Sequence, residues 1–281
     1  IIIMKKVCIC GAGTMGSGIA QVAASAGFPA ILYDINPKGL QIAKERIEKD
    51  LGKLVVRGKL DAEKRNEIED NITYTSYLSG CVADIIIEAV VENIEVKVSL
   101  FNQLAAINPV ETILASNTSS LSISEIAAKV TMPERVIGVH FFNPAPLMKL
   151  VEVIKGSHTS TAVVDKILNF TKALNKVPVL CKDSPGFIVN RVARPYYIEA
   201  LRLAEEGVPF ETIDKVLEAQ GFKLGPFKLM DLIGNDVNYA VSCSVYNQLN
   251  KPERLKPSYI QKEKVETGQL GKKSGKGYYN Y

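Results

Sequence analysis

Val7-Cys8-Ile9-Cys10-Gly11-Ala12-Gly13-Thr14-Met15-Gly16 is the stretch whose reading decides the fold. Residues 5–10 read as an apolar strand, 14–26 read as a helix, and a Gly-x-Gly-x-x-Gly turn joins them. The glycines play different parts. Gly11 makes the tight turn, Gly13 lets a pyrophosphate approach the backbone, and Gly16 lets helix and strand pack closely. The helix start, with Thr14 and Met15, turns free N–H groups and a positive dipole end toward the phosphates. Glycine turns are common, so the motif alone is weak, and an acidic residue at the right distance strengthens it. Asp34 stands 23 positions after Gly11, at the end of the next apolar run. A carboxylate there accepts hydrogen bonds from ribose hydroxyls and repels a 2′-phosphate, and no Arg follows directly to offset the repulsion. NAD is therefore expected over NADP. The plainer reading makes Asp34 a helix cap or a turn residue.

Outward from this unit the pattern repeats. Strands are expected at 5–10, 30–34, 84–89, 112–115, 135–140, 149–154 and 177–181, with helices at 14–26, 37–57, 94–107, 122–129 and 160–174. Near-continuous apolar strands alternating with helices imply an α/β, Rossmann-type fold: an open, mostly parallel sheet covered on both faces. From about 37 to 70 there is no strand signal; Leu40, Ala43, Ile47, Leu51 and Leu54 recur at helical spacing, Gly58 interrupts, and Asp61 caps a second helix. A helical hairpin projecting from the sheet domain is expected there. Lys182-Asp183-Ser184-Pro185-Gly186 reads as a hinge, giving a first domain at 1–185 and an all-α domain at 186–281. In the latter, helices are expected at 187–206, 210–219, 228–249 and 258–266, before a Gly- and Lys-rich tail.

Bulk properties narrow the function. A chain of 281 residues suits two ordinary domains, and 47% hydrophobic with 23% charged residues is globular composition. No apolar run approaches the ~18 to 20 residues of a membrane span. Met4 reads as the natural start, no secretory pattern follows, and a cytoplasmic location is expected. The net charge of +4, from 34 basic and 30 acidic residues, is mild for a nucleic-acid binder and suits an anionic small molecule. Cys8 and Cys10 share one strand face and read as core thiols; with two histidines and no Cys-x-x-Cys pair, no metal site is expected.

His140 ends an apolar strand and opens His-Phe-Phe-Asn-Pro-Ala-Pro, at the sheet edge where ligands bind in such folds. Twelve residues on, Glu152 shares a strand face with Leu150 and Ile154, which buries it. A buried carboxylate needs a partner, and an imidazole serves; the pair makes a general base with its tautomer held. An ordinary core histidine beside an unrelated glutamate reads equally well from these residues alone. Ser116-Asn117-Thr118-Ser119-Ser120 follows another strand, and its hydroxyls either bind a reacting oxygen or cap the next helix. Asn190, just past the hinge, reads more simply as a solvated helix residue.

Taken together the chain resembles the L-3-hydroxyacyl-CoA dehydrogenase family, closest to its short bacterial members that act on 3-hydroxybutyryl-CoA. The matching stretches are Gly11-Ala-Gly-Thr-Met-Gly, Ala115-Ser-Asn-Thr-Ser-Ser, His140-Phe-Phe-Asn-Pro through Leu150-Val-Glu-Val-Ile, Lys182-Asp-Ser-Pro-Gly-Phe-Ile-Val-Asn-Arg, Gly225-Pro-Phe-Lys-Leu-Met-Asp-Leu-Ile-Gly and Lys272-Lys-Ser-Gly-Lys-Gly-Tyr-Tyr. The resemblance implies NAD as cofactor and interconversion of (S)-3-hydroxybutyryl-CoA and acetoacetyl-CoA. It makes His140 the general base, Glu152 its orienting partner, and Ser119 and Asn190 the ligands of the substrate oxygen. It adds Glu92, Lys97, Asn117 and Asn143 to Gly11, Gly13, Thr14, Met15, Gly16 and Asp34 as cofactor contacts. The hairpin matches the region that holds CoA, with Lys53 and Arg57 as candidates for its phosphates or adenine. The C-terminal helices match a dimerisation domain. Rival readings are a dehydrogenase of longer 3-hydroxyacyl-CoA or of a non-CoA hydroxy or sugar acid, and a nucleotide-binding protein with a structural or sensing role. A nucleic-acid regulator fits least, because no helix-turn-helix signal or concentrated basic face is present.

Overall fold

Strand β1 (Val7–Cys10) and helix α1 (Thr14–Ser25) flank the glycine turn, and everything up to Asp183 is built around them. The computed structural model describes residues 6–281; the start assigned to Met4 and the first residue of the 5–10 strand lie outside the described residues. The chain divides into two compact units between Asp183 and Ser184.

The first unit continues with β2 (Ala30–Tyr33), α2 (Pro37–Val56), α3 (Ala62–Asp70), β3 (Ile72–Thr75), β4 (Ile85–Glu88), α4 (Ile94–Ile107) and β5 (Ile113–Ser116). Then come α5 (Ile123–Ala127), β6 (Val136–Phe141), β7 (Leu150–Lys155), α6 (Thr161–Ala173) and β8 (Val177–Lys182). The strands form one sheet in the order β3-β2-β1-β4-β5-β6-β7-β8. Neighbours run parallel except β6 and β7, which are antiparallel. The order reverses between β1 and β4, so the carboxyl ends of those two strands open the crevice where such sheets bind ligands.

Alternation along the strands sorts the chemistry. Val7, Ile9, Leu32, Ile85, Ile87, Ala115, Val139 and Val153 join residues of α1, α2 and α6 in one core. The residues between them point to the opposite face, and the register lines up Cys10 with Glu88, Glu88 with Ser116, and His140 with Glu152. Polar groups at the strand ends therefore gather on one face of the sheet.

Three expectations need correction. The hairpin of α2 and α3 does not project: Leu40, Ala43, Ile47 and Leu51 are buried in the main core, and α3 adds Ile68. An apolar stripe needs a surface to cover, and α1 with β3 provides it. The turn near Gly58, at φ +62°, is the exposed part. Strand β3 was not expected; four residues at a sheet edge, Ile72 buried and Thr73 exposed, are too short for a periodic signal. The helix expected at 228–249 is two helices.

The second unit comprises α7 (Val189–Glu205), α8 (Phe210–Ala219), α9 (Pro226–Ile233), α10 (Asn235–Gln248) and α11 (Tyr259–Glu266). Gly234, at φ +105°, breaks the chain between α9 and α10. Tyr197, Leu201, Ile213, Phe227, Met230 and Tyr278 form a core here. The tail is fastened by Asp231, which is 1% exposed. Its Oδ1 accepts from Tyr278 N and Asn235 Nδ2, and its Oδ2 from Tyr279 N and the Tyr281 hydroxyl, each at 3.0 Å. Gly277 must be glycine for the same reason, since a Cβ there would meet Asp231 Oδ1 at 1.9 Å. Among the described residues no helix is long and apolar enough to cross a membrane. Asp231→Ala strands several buried donors and is expected to cost roughly 3 kcal/mol or more. Thermal unfolding measures this, and a loss below about 1 kcal/mol would show that the tail is held by other contacts.

Candidate active site

At the sheet crevice the glycine turn is shaped by close contact. A Cβ on Gly11, at φ +105°, would stand 2.6 Å from Ala89 O, and one on Gly16 would stand 1.7 Å from Gly11 O. Gly13 is different: a Cβ there meets nothing within 4 Å, so it borders open space beside the start of α1. Gly13 is also the N-cap of α1, and no side chain caps that helix. Its first N–H groups are thus left for an anion, with exposed Thr14 and half-exposed Met15 beside them. Asp34 lies just past β2, where its Oδ2 accepts from Ala12 N at 2.7 Å and its Oδ1 from Asn36 N at 2.9 Å. The carboxylate ties the turn to the end of β2. These residues fit a dinucleotide.

The second group follows from strand register. His140 and Glu152 are direct partners across β6 and β7, and His140 Nδ1 lies 2.9 Å from Glu152 Oε2. They are 6% and 1% exposed. A glutamate this buried holds the imidazole through Nδ1 and fixes the orientation of the ring. The Phe142 ring lies 4.5 Å from the imidazole centroid. Asn117 Oδ1 accepts from Phe141 N at 2.9 Å, so this side chain pins the end of β6 beside His140. Lys176 Nζ donates to Ala145 O at 2.6 Å and to Met148 O at 2.8 Å, bracing the loop that leaves His140. Burial pushes the Lys176 amine below its ordinary range, with Lys149 adding to the shift.

A third group lies along β4, β5 and α4. Lys97 is 1% exposed, and its Nζ meets Glu88 Oε1 at 2.6 Å and Glu92 Oε2 at 3.2 Å. Glu92 Oε1 accepts from Thr118 Oγ1 at 2.5 Å and from Ser119 N at 3.1 Å, with Ser119 Oγ at 3.5 Å. Burial pushes both carboxyls up. Glu88 stays raised despite Lys97, whereas Glu92 ends below its ordinary range because Lys97 and the donors at 118 and 119 outweigh burial.

Glu92, Lys97, Asn117 and Ser119 are thus joined by side-chain bonds or lie within one strand end of the His140–Glu152 pair. Asn143 sits exposed in the loop after β6. Lys53 is half-exposed and 2.7 Å from Asp50, and Arg57 is exposed at the end of α2. Asn190 is the second residue of α7 in the C-terminal unit, and its carbonyl accepts from Arg194 Nε at 3.0 Å. Cys8 and Cys10 are buried and 3.9 Å apart at sulfur, and Cys81, which no sequence pattern linked to them, completes a group within 4.8 Å. Sequence reading missed Glu88 and Lys176. The signal for Glu88 was present, an acidic residue ending Ile85-Ile86-Ile87, of the same kind that flagged Glu152. Lys176 carried none, because the carbonyls it holds are 28 to 31 residues away.

Comparison with known proteins agrees with this frame. Residues 6–184 match the 3-hydroxyacyl-CoA dehydrogenase NAD-binding domain, and residues 186–281 match the C-terminal domain of the same family. An Escherichia coli protein named 3-hydroxyadipyl-CoA dehydrogenase is 50% identical over 99% of this chain, which spans 59% of that protein's length. The mitochondrial hydroxyacyl-coenzyme A dehydrogenase of Sus scrofa is 39% identical, over 100% of this chain and 92% of its own. The crystal structure of (S)-3-hydroxybutyryl-CoA dehydrogenase from Ralstonia eutropha superposes with a TM-score of 0.94 at 36% identity, covering 99% of each chain. Fold and crevice define a dinucleotide-dependent oxidoreductase frame. The chain belongs to the 3-hydroxyacyl-CoA dehydrogenase family, and its N-terminal unit is an NAD-binding domain.

Asp34→Ala is expected to weaken NADH binding and to improve NADPH use relative to NADH. Fluorescence titration with both cofactors measures this, and an unchanged preference would remove Asp34 from cofactor selection.

Proposed function

We propose that this protein interconverts (S)-3-hydroxybutyryl-CoA and acetoacetyl-CoA with NAD, using His140 and Glu152 as a general-base pair. The buried contact at 2.9 Å between the two side chains carries the reading. Bound NAD supplies the hydride chemistry at its nicotinamide ring.

His140 Nε2 takes the proton of the 3-hydroxyl during oxidation and returns it during reduction. Glu152 keeps Nε2 unprotonated before the reaction and stabilises the ring once it is charged. The Ser119 hydroxyl holds the substrate oxygen as its charge changes, which favours the transition state over the bound ground state. Glu92 and Lys97 border the cofactor, and Gly11, Gly13, Gly16 and the α1 N-terminus hold its phosphates. On the hairpin, Lys53 and Arg57 are assigned to the CoA phosphates. The C-terminal unit is assigned to a homodimer contact, supported by the exposed apolar side chains of Val216, Leu232 and Val237.

The 50% identical relative named for 3-hydroxyadipyl-CoA favours a second reading, in which the acyl chain is a longer dicarboxylate. Loss of NADH absorbance decides, run with acetoacetyl-CoA beside 3-oxoadipyl-CoA, free acetoacetate and NADPH. Turnover of acetoacetyl-CoA with NADH and not with free acetoacetate is expected. Preference for 3-oxoadipyl-CoA would move the substrate to the second reading, and turnover of the free acid alone would overturn both. In the same assay His140→Ala is expected to lose about 10² to 10⁴-fold in kcat with near-normal NADH affinity. Equal loss of both would contradict the assigned role.

A further inference from the structure

Glu88 is 0% exposed at the end of a strand that is otherwise Ile85-Ile86-Ile87. A carboxylate in such a place is costly and survives only with strong partners. It has three: Lys97 Nζ at 2.6 Å and Val90 N at 2.8 Å on Oε1, and Ser116 Oγ at 2.7 Å on Oε2. The Lys97 ammonium is equally buried and turns toward a second carboxylate, Glu92 Oε2, at 3.2 Å. The other oxygen of Glu92 holds Thr118 Oγ1 and Ser119 N, while Thr118 Oγ1 accepts from Ser120 N at 3.2 Å and Leu121 N at 2.9 Å. An unbroken chain of charged and hydrogen-bonded contacts runs from Glu88 to the turn at 118–121.

We propose that Glu88 is a positioning residue for the reaction: its buried charge fixes Lys97, Lys97 sets the place of Glu92, and Glu92 holds the turn that presents Ser119. The inference rests on the reading that Ser119 holds the substrate oxygen. The charge of Glu88 is what matters. With two carboxylates around it, the Lys97 ammonium is shared, and Glu92 keeps one oxygen for Ser119. Without Glu88 the ammonium has Glu92 alone. The buried Lys97 ammonium then has no other carboxylate, and its attraction draws the part-exposed Glu92 toward Nζ and away from the Ser119 N–H. Glutamine at 88 preserves shape and still accepts from Ser116 or Val90, so it isolates the charge.

A double-mutant cycle tests this, with kcat measured at saturating NADH and thioester for wild type, Glu88→Gln, Ser119→Ala and the double variant. Glu88→Gln is expected to lower kcat about tenfold in the wild-type background and less than about twofold when Ser119 is already alanine. A general structural lesion would cost the same factor in both backgrounds, and that result overturns the proposal. Should Glu88→Gln fail to fold, Glu88→Gln with Lys97→Met removes both buried charges and leaves neither orphaned. That variant also cuts Glu92 loose, so it is expected to show the same loss and the same dependence on Ser119. Wild-type kcat in it would refute the chain of contacts. Wild-type turnover is recorded first: no turnover of any acyl-CoA contradicts the functional reading and this inference together, whereas an active wild type with an additive cycle contradicts only the role of Glu88.

Discussion

Glu152 faces His140 across one antiparallel step, with almost no access to water for either. That arrangement exists because β7 reverses direction against β6 in a sheet that is otherwise parallel. A carboxylate so buried has a large desolvation cost, and the imidazole Nδ1 at 2.9 Å is what makes its position tolerable. The same contact fixes the orientation of the ring. Much of the surrounding structure serves to hold that step in register. Asn117 pins the backbone after His140, Lys176 gathers three carbonyls of the following loop, and the alternating core residues of β6 and β7 lock the opposite face.

The sheet places this pair beside the cofactor crevice through a second constraint, the order reversal at β1 and β4. Gly11 lies against the backbone of Ala89, the residue after Glu88, so the glycine turn and the Glu88–Lys97 pair are neighbours by necessity. The glycine turn and the buried Glu88–Lys97 pair are thereby built at the tips of two adjacent strands. Polar side chains appear where the strands end, on the face opposite the main core. Burial there holds the Glu88 carboxyl above its ordinary range despite Lys97, whereas Lys97 and the donors at 118 and 119 bring Glu92 below its own.

Much of this was legible in the residues themselves. The glycine spacing with Asp34, the apolar strands and the alternation around Glu152 are local patterns, and local patterns survive folding when packing agrees with them. What was not legible depended on distant partners. Strand β3 exists because β2 offers an edge, and its four residues carry too little periodicity to announce it. The break at Gly234 was invisible because apolar residues on both sides keep helical spacing. The hairpin reads as projecting because its apolar stripe does not say which surface it covers, and α1 with β3 supplies that surface only once the sheet is formed. Asn117 and Ser119 sit in a run of hydroxyl and amide residues where capping and binding read alike, and their contacts to Phe141 and Glu92 depend on partners more than 20 residues away. Lys176 and Cys81 gave no sign, since their partners are set by the sheet and not by spacing.

The pairing of His140 with Glu152 is open to direct observation. The chain has two histidines, so nitrogen-15 spectra of the imidazole rings, with His158→Gln for assignment, resolve the tautomer of His140 without a substrate. The spectrum is recorded at a pH where the ring carries a single proton. That proton is predicted on Nδ1, bonded to Glu152, with displacement toward a mixed population in Glu152→Gln. A wild-type ring protonated on Nε2 would mean that the carboxylate does not set the base, and the mechanism built on the pair would be wrong.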